Sequence, residues 1–306
     1  MTTGAAARHR WAYTLFGPAA PYLLHLRPIE WPIMAAHTLL GYLLAVGLTG
    51  AASGVARGPA LLGLLLWVVC LNGGTLAINS AFDQDDGDVA YLRAPPAPPR
   101  HLFAWGLGLM VLGQVFTFQL PPAFRAVYAA CFAMSVLYSV PPFRLKSVAG
   151  ADWVINMWGF GTFTPLAGWA STGRALDLPH ALVLLGFCPL FAALYPLTQI
   201  YQVEEDTRRG DRTLVIRLGV GRSLWVAVGS ALVAFALFGW SLLLLEQATA
   251  LRVAGVALAL VAWLGVLVPW ARRHPSMTTA LHQRGMYLAL GAWAVTDVVV
   301  ALAWGT

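Results

Sequence analysis

Residues 60–88 read ALLGLLLWVVCLNGGTLAINSAFDQDDGD: an uncharged run as far as Phe82, then four aspartates in quick succession, Asp83, Asp85, Asp86 and Asp88. A helix rises about 1.5 Å per residue, so roughly 20 apolar residues cross a hydrocarbon core about 30 Å thick. The stretch therefore reads as a membrane-spanning helix, over 60–79, with an acidic end. On such a helix Asn72, Asn79, Asp83 and Asp86 recur at steps of seven, four and three and share one face.

Outward from this stretch, comparable runs occur at about 31–50, 102–118, 126–139, 153–171, 179–200, 223–245, 253–270 and 285–304, giving nine expected spans. The composition agrees: 59% of the 306 residues are hydrophobic and 10% charged, and the mean hydropathy is +0.69. A soluble domain carries about 25% charged residues, so soluble Rossmann-type enzymes, disulfide scaffolds and disordered tails are excluded. Cys70, Cys131 and Cys188 lie in apolar stretches without CxxC spacing and read as buried bystanders. Residues 1–30 hold no sustained apolar core before a cleavage site and read as a cytoplasmic N-terminal segment, not a signal peptide.

Nine spans place the N-terminus and the loops near 80–101, 140–152, 201–222 and 271–284 on one side. Of the 19 lysines and arginines, all but Arg57, Arg125, Arg174 and Arg252 fall there. By the positive-inside rule that side is cytoplasmic, in a cytoplasmic (inner) membrane, and the formal charge of +6 needs no nucleic-acid partner. Most of the acids share that side, which topology does not require. The sixth span ends QIYQVEED, so that Gln199, Gln202 and Asp206 fall on one face if the helix runs on, with Glu205 beside them. Carboxylates so close repel one another unless a cation joins them. Oxygen-only sets suit hard cations, and Mg²⁺ takes one or two carboxylates plus waters and substrate phosphates. Two such ends facing each other could hold a diphosphate between metal ions, with Arg27, Arg144, Lys146, Arg208, Arg209 and Arg212 available on the same face.

At this point the chain resembles the UbiA-type intramembrane prenyltransferases. Their first motif, Asn-Asp-x-x-Asp-x-x-x-Asp after the second helix, is matched by Asn79 and Asp83. Ser80 replaces its first Asp and Gly87 its last, with Asp86 or Asp88 as substitutes. The run Tyr138-Ser-Val-Pro-Pro-Phe-Arg144-Leu-Lys146 is similar to the family's loop after the fourth helix. Asp206 matches the end of the second motif, where Gln199 and Gln202 replace the earlier acids. Arg27-Pro28 resembles the family's entry to the first helix.

The resemblance implies one membrane domain over 1–306, with nine helices bundled around a central cavity and active-site loops at 80–101 and 201–222. It implies Mg²⁺-dependent transfer of an isoprenyl group from a prenyl diphosphate to a lipid-soluble, aromatic acceptor among membrane lipids. Asn79, Asp83, Asp86, Asp88, Gln202, Glu205 and Asp206 would then hold metal. Arg27, Tyr138, Arg144, Lys146, Arg208 and Arg212 would hold the diphosphate, and Asp83, Asp206 and Lys146 would act most directly in catalysis. A terpene cyclase on the same scaffold needs the same metal site without an acceptor. A transporter is disfavoured because the acids lie at helix ends and not near the bilayer midplane. His37 reads as a bundle-facing histidine or an acceptor-orienting base. Asp297, inside the last span, is set outside the site. Trp158 and Phe160, near Asn156, read as core or as a carbocation shield.

Overall fold

The computed structural model describes residues 9–83, 92, 94–210, 212–245 and 249–305, and of Glu205 and Arg209 the backbone alone. Asp85, Asp86 and Asp88 lie outside the described residues, as do Gly87, Arg93 and Asp211.

Apolar runs that must satisfy every backbone group internally form helices. In chain order the long ones are α1 (Trp31–Ala52), α2 (Arg57–Asp83), α3 (Leu102–Gln119), α4 (Pro122–Ser139), α5 (151–170), α6 (Leu178–Ile200), α7 (Val220–Leu243), α8 (Ala250–Ser276) and α9 (Thr279–Trp304). Among the described residues seven are long and apolar enough to cross a membrane: all of these except α4 and α5. Those two occupy the fourth and fifth expected spans but carry more polar side chains, Arg125, Ser135 and Tyr138 in α4 and Asp152, Asn156, Thr162 and Thr164 in α5. Among the described residues there is no β-strand, only an isolated bridge between Val148 and Arg212. The chain is an all-helical integral membrane protein.

Successive helices pack as neighbours, α2 on α3, α5 on α6, α6 on α7, α7 on α8 and α8 on α9, while α9 returns to α6 and α1. The apolar core falls into two bodies. One gathers α1 and α6 to α9, with Trp169 of α5, around Phe187, Phe238 and Trp263. The other gathers α2, α3 and α4 around Trp67, Phe124 and Tyr128. Helix α1 lies against α5, where glycines remove the side chains that would hold them apart. A Cβ on Gly41 would overlap the Pro165 carbonyl, and one on Gly168 the Thr38 carbonyl. Helix α1 breaks at Gly47, whose φ of 76° is left-handed, and Leu48 N–H then donates to the Gly305 carbonyl at 2.6 Å.

Two helices widen to π geometry in mid-course, α2 over Leu66–Gly73 and α5 over Met157–Phe163. Such wide turns are often found at functional sites. The expected loop 201–222 is not irregular, since it contains two short helices, Val203–Arg209 and Leu214–Leu218. Helix α9 starts earlier than expected, so Arg284 lies within it.

Before α1, the helices Arg10–Phe16 and Ala20–Leu24 form a strap. Ala12, Ala20 and Leu24 pack on Leu92, and Leu26 packs on Ala77 and Leu102. The strap thereby packs on the last turns of α2, on Leu92 and on the start of α3.

Candidate active site

Asn79 and Asp83 are one helical turn apart, so both project from the same face at the end of α2. Opposite them stands the short loop after α4. Pro141 and Pro142 end that helix, and Arg144 adopts a left-handed φ of 36°, which returns the chain toward α2. Lys146 Nζ donates to Asn79 Oδ1 at 2.8 Å and to Asp83 Oδ1. Arg144 Nη2 lies 3.5 Å from the same Asp83 oxygen. Ser139 Oγ donates to Asn79 Oδ1 at 3.3 Å. Arg27, buried before α1, reaches Ser80 Oγ at 3.5 Å and Glu30 at 3.9 Å. Burial raises the Glu30 carboxyl above the usual range while Arg27 pulls it back. Four residues that the sequence singled out, Asn79, Asp83, Arg144 and Lys146, thus meet at one place, and Arg27 reaches the same end of α2 through Ser80.

The second acidic end differs from the sequence expectation. Gln199, Gln202 and Asp206 do not share the face of one continuous helix. Helix α6 stops at Ile200, the chain turns at Tyr201-Gln202, and a new helix starts at Val203. Gln202 N–H closes that turn on the Gln199 carbonyl at 3.0 Å. Gln199 and Asp206 are both buried, Gln202 half-buried. Arg208 is exposed and bonds back to the Glu204 carbonyl. Arg212 is exposed and bridges Val148 through its backbone. The side chain of Glu205 is outside the description.

Tyr138 and Ser139 join the two ends. Tyr138 Oη lies 3.0 Å from Tyr195 Oη on α6, and both Asp152 and Asp206 are close enough to act electrostatically on it. The next residue, Ser139, bonds Asn79. Asp152, one of the acids on the basic side, is fully buried beside Gln199, whose Nε2 donates to its Oδ2 at 2.8 Å. The signal available was a single acid at the start of an apolar span, directly after the Arg144–Lys146 loop.

Among the described residues no group of three His, Cys, Asp or Glu side chains converges. Asn79 Oδ1 and Asp83 Oδ1 do converge on one cation, the Lys146 ammonium. Two hard oxygens already gathered around a positive charge fit an ion that takes few protein ligands and completes its shell with water and phosphate oxygens. The donor chemistry at this end therefore fits Mg²⁺.

His37 is engaged on both ring nitrogens, Nδ1 3.2 Å from Asp297 Oδ1 and Nε2 3.2 Å from the Gly161 carbonyl. This gives Asp297 its partner and ties α1, α5 and α9 together. Thr296 instead accepts from Trp263 Nε1 at 3.0 Å. Phe160 stacks on Phe191, with ring centroids 5.3 Å apart, and Trp158 lies against Phe163.

A model of the UbiA prenyltransferase family matches residues 38–291. The chain is 28% identical over 287 residues to a lycopene elongase/hydratase of Haloferax volcanii, covering 89% of this chain and 88% of the relative. It is 25% identical over 233 residues to a probable homogentisate phytyltransferase 2 of rice, covering 69% of this chain and only 61% of that longer protein. Among solved structures, a UbiA homologue from Archaeoglobus fulgidus bound to DMAPP and Mg²⁺ superposes with a TM-score of 0.67 at 17% identity, covering 91% of this chain and 98% of its own. A structure of a digeranylgeranylglyceryl phosphate synthase gives 0.69 at 14% identity, covering 93% and 97%.

Proposed function

The chain belongs to the UbiA prenyltransferase family, and on that premise we propose that it transfers an isoprenyl group from a prenyl diphosphate to a lipid-soluble acceptor within the membrane. The observation that carries this reading is the meeting of Asn79 and Asp83 with Lys146 and Arg144 at the end of α2, with Arg27 on the neighbouring Ser80. Oxygen donors and fixed cations side by side are what a metal-bound diphosphate requires.

In this reading Asn79 and Asp83 would hold Mg²⁺ at the first end and Asp206 with Gln202 at the second, joined by Asp86, Asp88 and Glu205 from beyond the described side chains. The metal, when bound, neutralises the diphosphate charge as the C–O bond breaks. Lys146 and Arg144 leave Asp83 in part to meet the diphosphate oxygens, and Arg27, Tyr138, Arg208 and Arg212 complete its surroundings. The allylic cation forms among apolar and aromatic side chains, where few waters can quench it. The acceptor's electron pair forms the new bond to the allylic carbon, and its proton passes to an oxygen of the released diphosphate. All of 1–306 then acts as a single domain of nine spans, with the site at the cytoplasmic face.

The acceptor is aromatic in one version, as the name of the rice relative suggests for that protein. The Haloferax relative, matched over most of its length, favours a polyene for this chain. The deciding experiment incubates purified protein with Mg²⁺ and prenyl diphosphates of graded length, with homogentisate, with lycopene, and with no acceptor. Acceptor-dependent diphosphate release and a prenylated product are expected. Release of a cyclised hydrocarbon without acceptor would replace transfer by cyclisation, and no diphosphate release under any condition would overturn the reading.

A further inference from the structure

Asp152 occupies a position that none of the roles above uses. It is 0% exposed, in the first turn of α5, and its two oxygens collect three neutral donors from separate parts of the chain. Gly150 N–H donates to Oδ1 at 2.9 Å, Gln199 Nε2 to Oδ2 at 2.8 Å, and Leu214 N–H approaches Oδ2 at 3.5 Å. One carboxylate thus ties the start of α5 to the last turn of α6 and to the segment following Asp206. The backbone bridge between Val148 and Arg212 closes the same seam.

The contact with Gln199 has a directional consequence. With Nε2 committed to Asp152, the amide must turn its Oε1 elsewhere. Gln199 is 6% exposed, and its Oε1 is buried without a hydrogen-bond partner among the described residues. A buried acceptor left unsatisfied carries the full cost of its desolvation, so an oxygen held there is matched to a cation or donor that arrives with a ligand. Gln199 stands at the base of the second acidic segment, linked through backbone bonds to Gln202 and from Gln202 to Asp206.

We infer that Asp152 is a positioning residue of the second metal–diphosphate end, acting through Gln199 by holding its Oε1 toward the bound cation. The inference rests on the proposed function and deepens it. Carboxylates that orient a ligand from behind typically change metal affinity by about 10–100-fold when removed. In Asp152→Asn the new amide can donate as well as accept, so Gln199 is released to present either atom.

The test measures Mn²⁺ binding by electron paramagnetic resonance, in the presence of inorganic pyrophosphate, with thermal unfolding recorded in parallel. Wild type should bind, and Asp152→Asn should bind at least tenfold more weakly. Asp152→Asn combined with Gln199→Glu should recover binding, because the asparagine can donate to one glutamate oxygen and leave the other for the cation. Should Asp152→Asn fail to fold, Gln199→Met removes the amide alone and is expected to show the same tenfold loss. Absence of Mn²⁺ binding by wild type would remove the proposed function itself. Binding by wild type with equal binding by Asp152→Asn, or by Gln199→Met where that variant decides, would overturn only this inference and leave Asp152 as a structural tie.

Discussion

Asp83 accepts from two cations at the end of a helix that carries no other charge after Arg57. Charge-assisted hydrogen bonds contribute about 1.5–3 kcal/mol each, so Asp83→Asn, which keeps the shape and removes the charge, should lower the diphosphate-release rate by about two orders of magnitude. A rate within twofold of wild type would remove Asp83 from the reacting groups. His25 makes a prediction of a different kind. It is buried in the strap, with Nε2 3.1 Å from the Pro96 carbonyl and Nδ1 without a hydrogen-bond partner among the described residues. Burial lowers its pKa from 6.5 to about 4, with Arg27 adding to the effect against the Pro96 bond. The folded state therefore prefers the neutral ring. Its contribution to stability is complete above pH 6.5 and is lost as pH falls toward 4, by about 3 kcal/mol. Thermal unfolding at pH 7 and pH 4.5 should show a larger acid loss for wild type than for His25→Gln, which keeps a donor for Pro96. Equal losses would show that His25 does not drive the effect.

Helix packing explains which elements were legible in advance. Residues 179–200 are apolar almost throughout, and the structure starts that helix one residue earlier and ends it at the same place. The strap helices Arg10–Phe16 and Ala20–Leu24 are too short to declare a periodicity, and proline-punctuated sequence around them reads as loop. The helix break at Tyr201-Gln202 was hidden for a related reason: neither residue is a helix breaker, and the turn is fixed by tertiary contacts of Gln199. The first acidic end was legible because Asn79 and Asp83 are four apart on a regular helix. Asp152 was not, because its partners come from residues 47 and 62 positions away. The crossing of α1 and α5 gives an element-scale prediction. Gly41→Val would drive a side chain into the Pro165 carbonyl, backbone that cannot rotate aside. Overpacking of this kind costs about 1–3 kcal/mol or more, seen as a lower unfolding temperature and yield. Gly229→Ala, with open space around its Cβ, should be silent. A silent Gly41→Val would show that the helices are further apart than described.

At the scale of the whole molecule, the two acidic ends belong to different core bodies, α2 to one and α6 to the other. Tyr138 and Ser139, adjacent in sequence, reach one to each. For both ends to serve one reaction they must open to the same face of the membrane. Single cysteines at Phe143 and Arg208 should react with an impermeant maleimide from the cytoplasmic side, and one at Leu178 from the other. Opposite labelling of the first two would refute the proposed topology. The strap adds a consequence in time. During synthesis Leu26 leaves the ribosome about seventy residues before Pro96, and at ~5–20 residues per second that interval is roughly 4–14 s. For most of it, Ala12, Ala20 and Leu24 have no Leu92 to pack against and His25 has no Pro96 carbonyl, so the segment made first is among the last to settle. Insertion into the bilayer and completion of the reactive end are therefore separate events, in that order. A newborn chain is already a membrane protein several seconds before it has the parts of an enzyme in register.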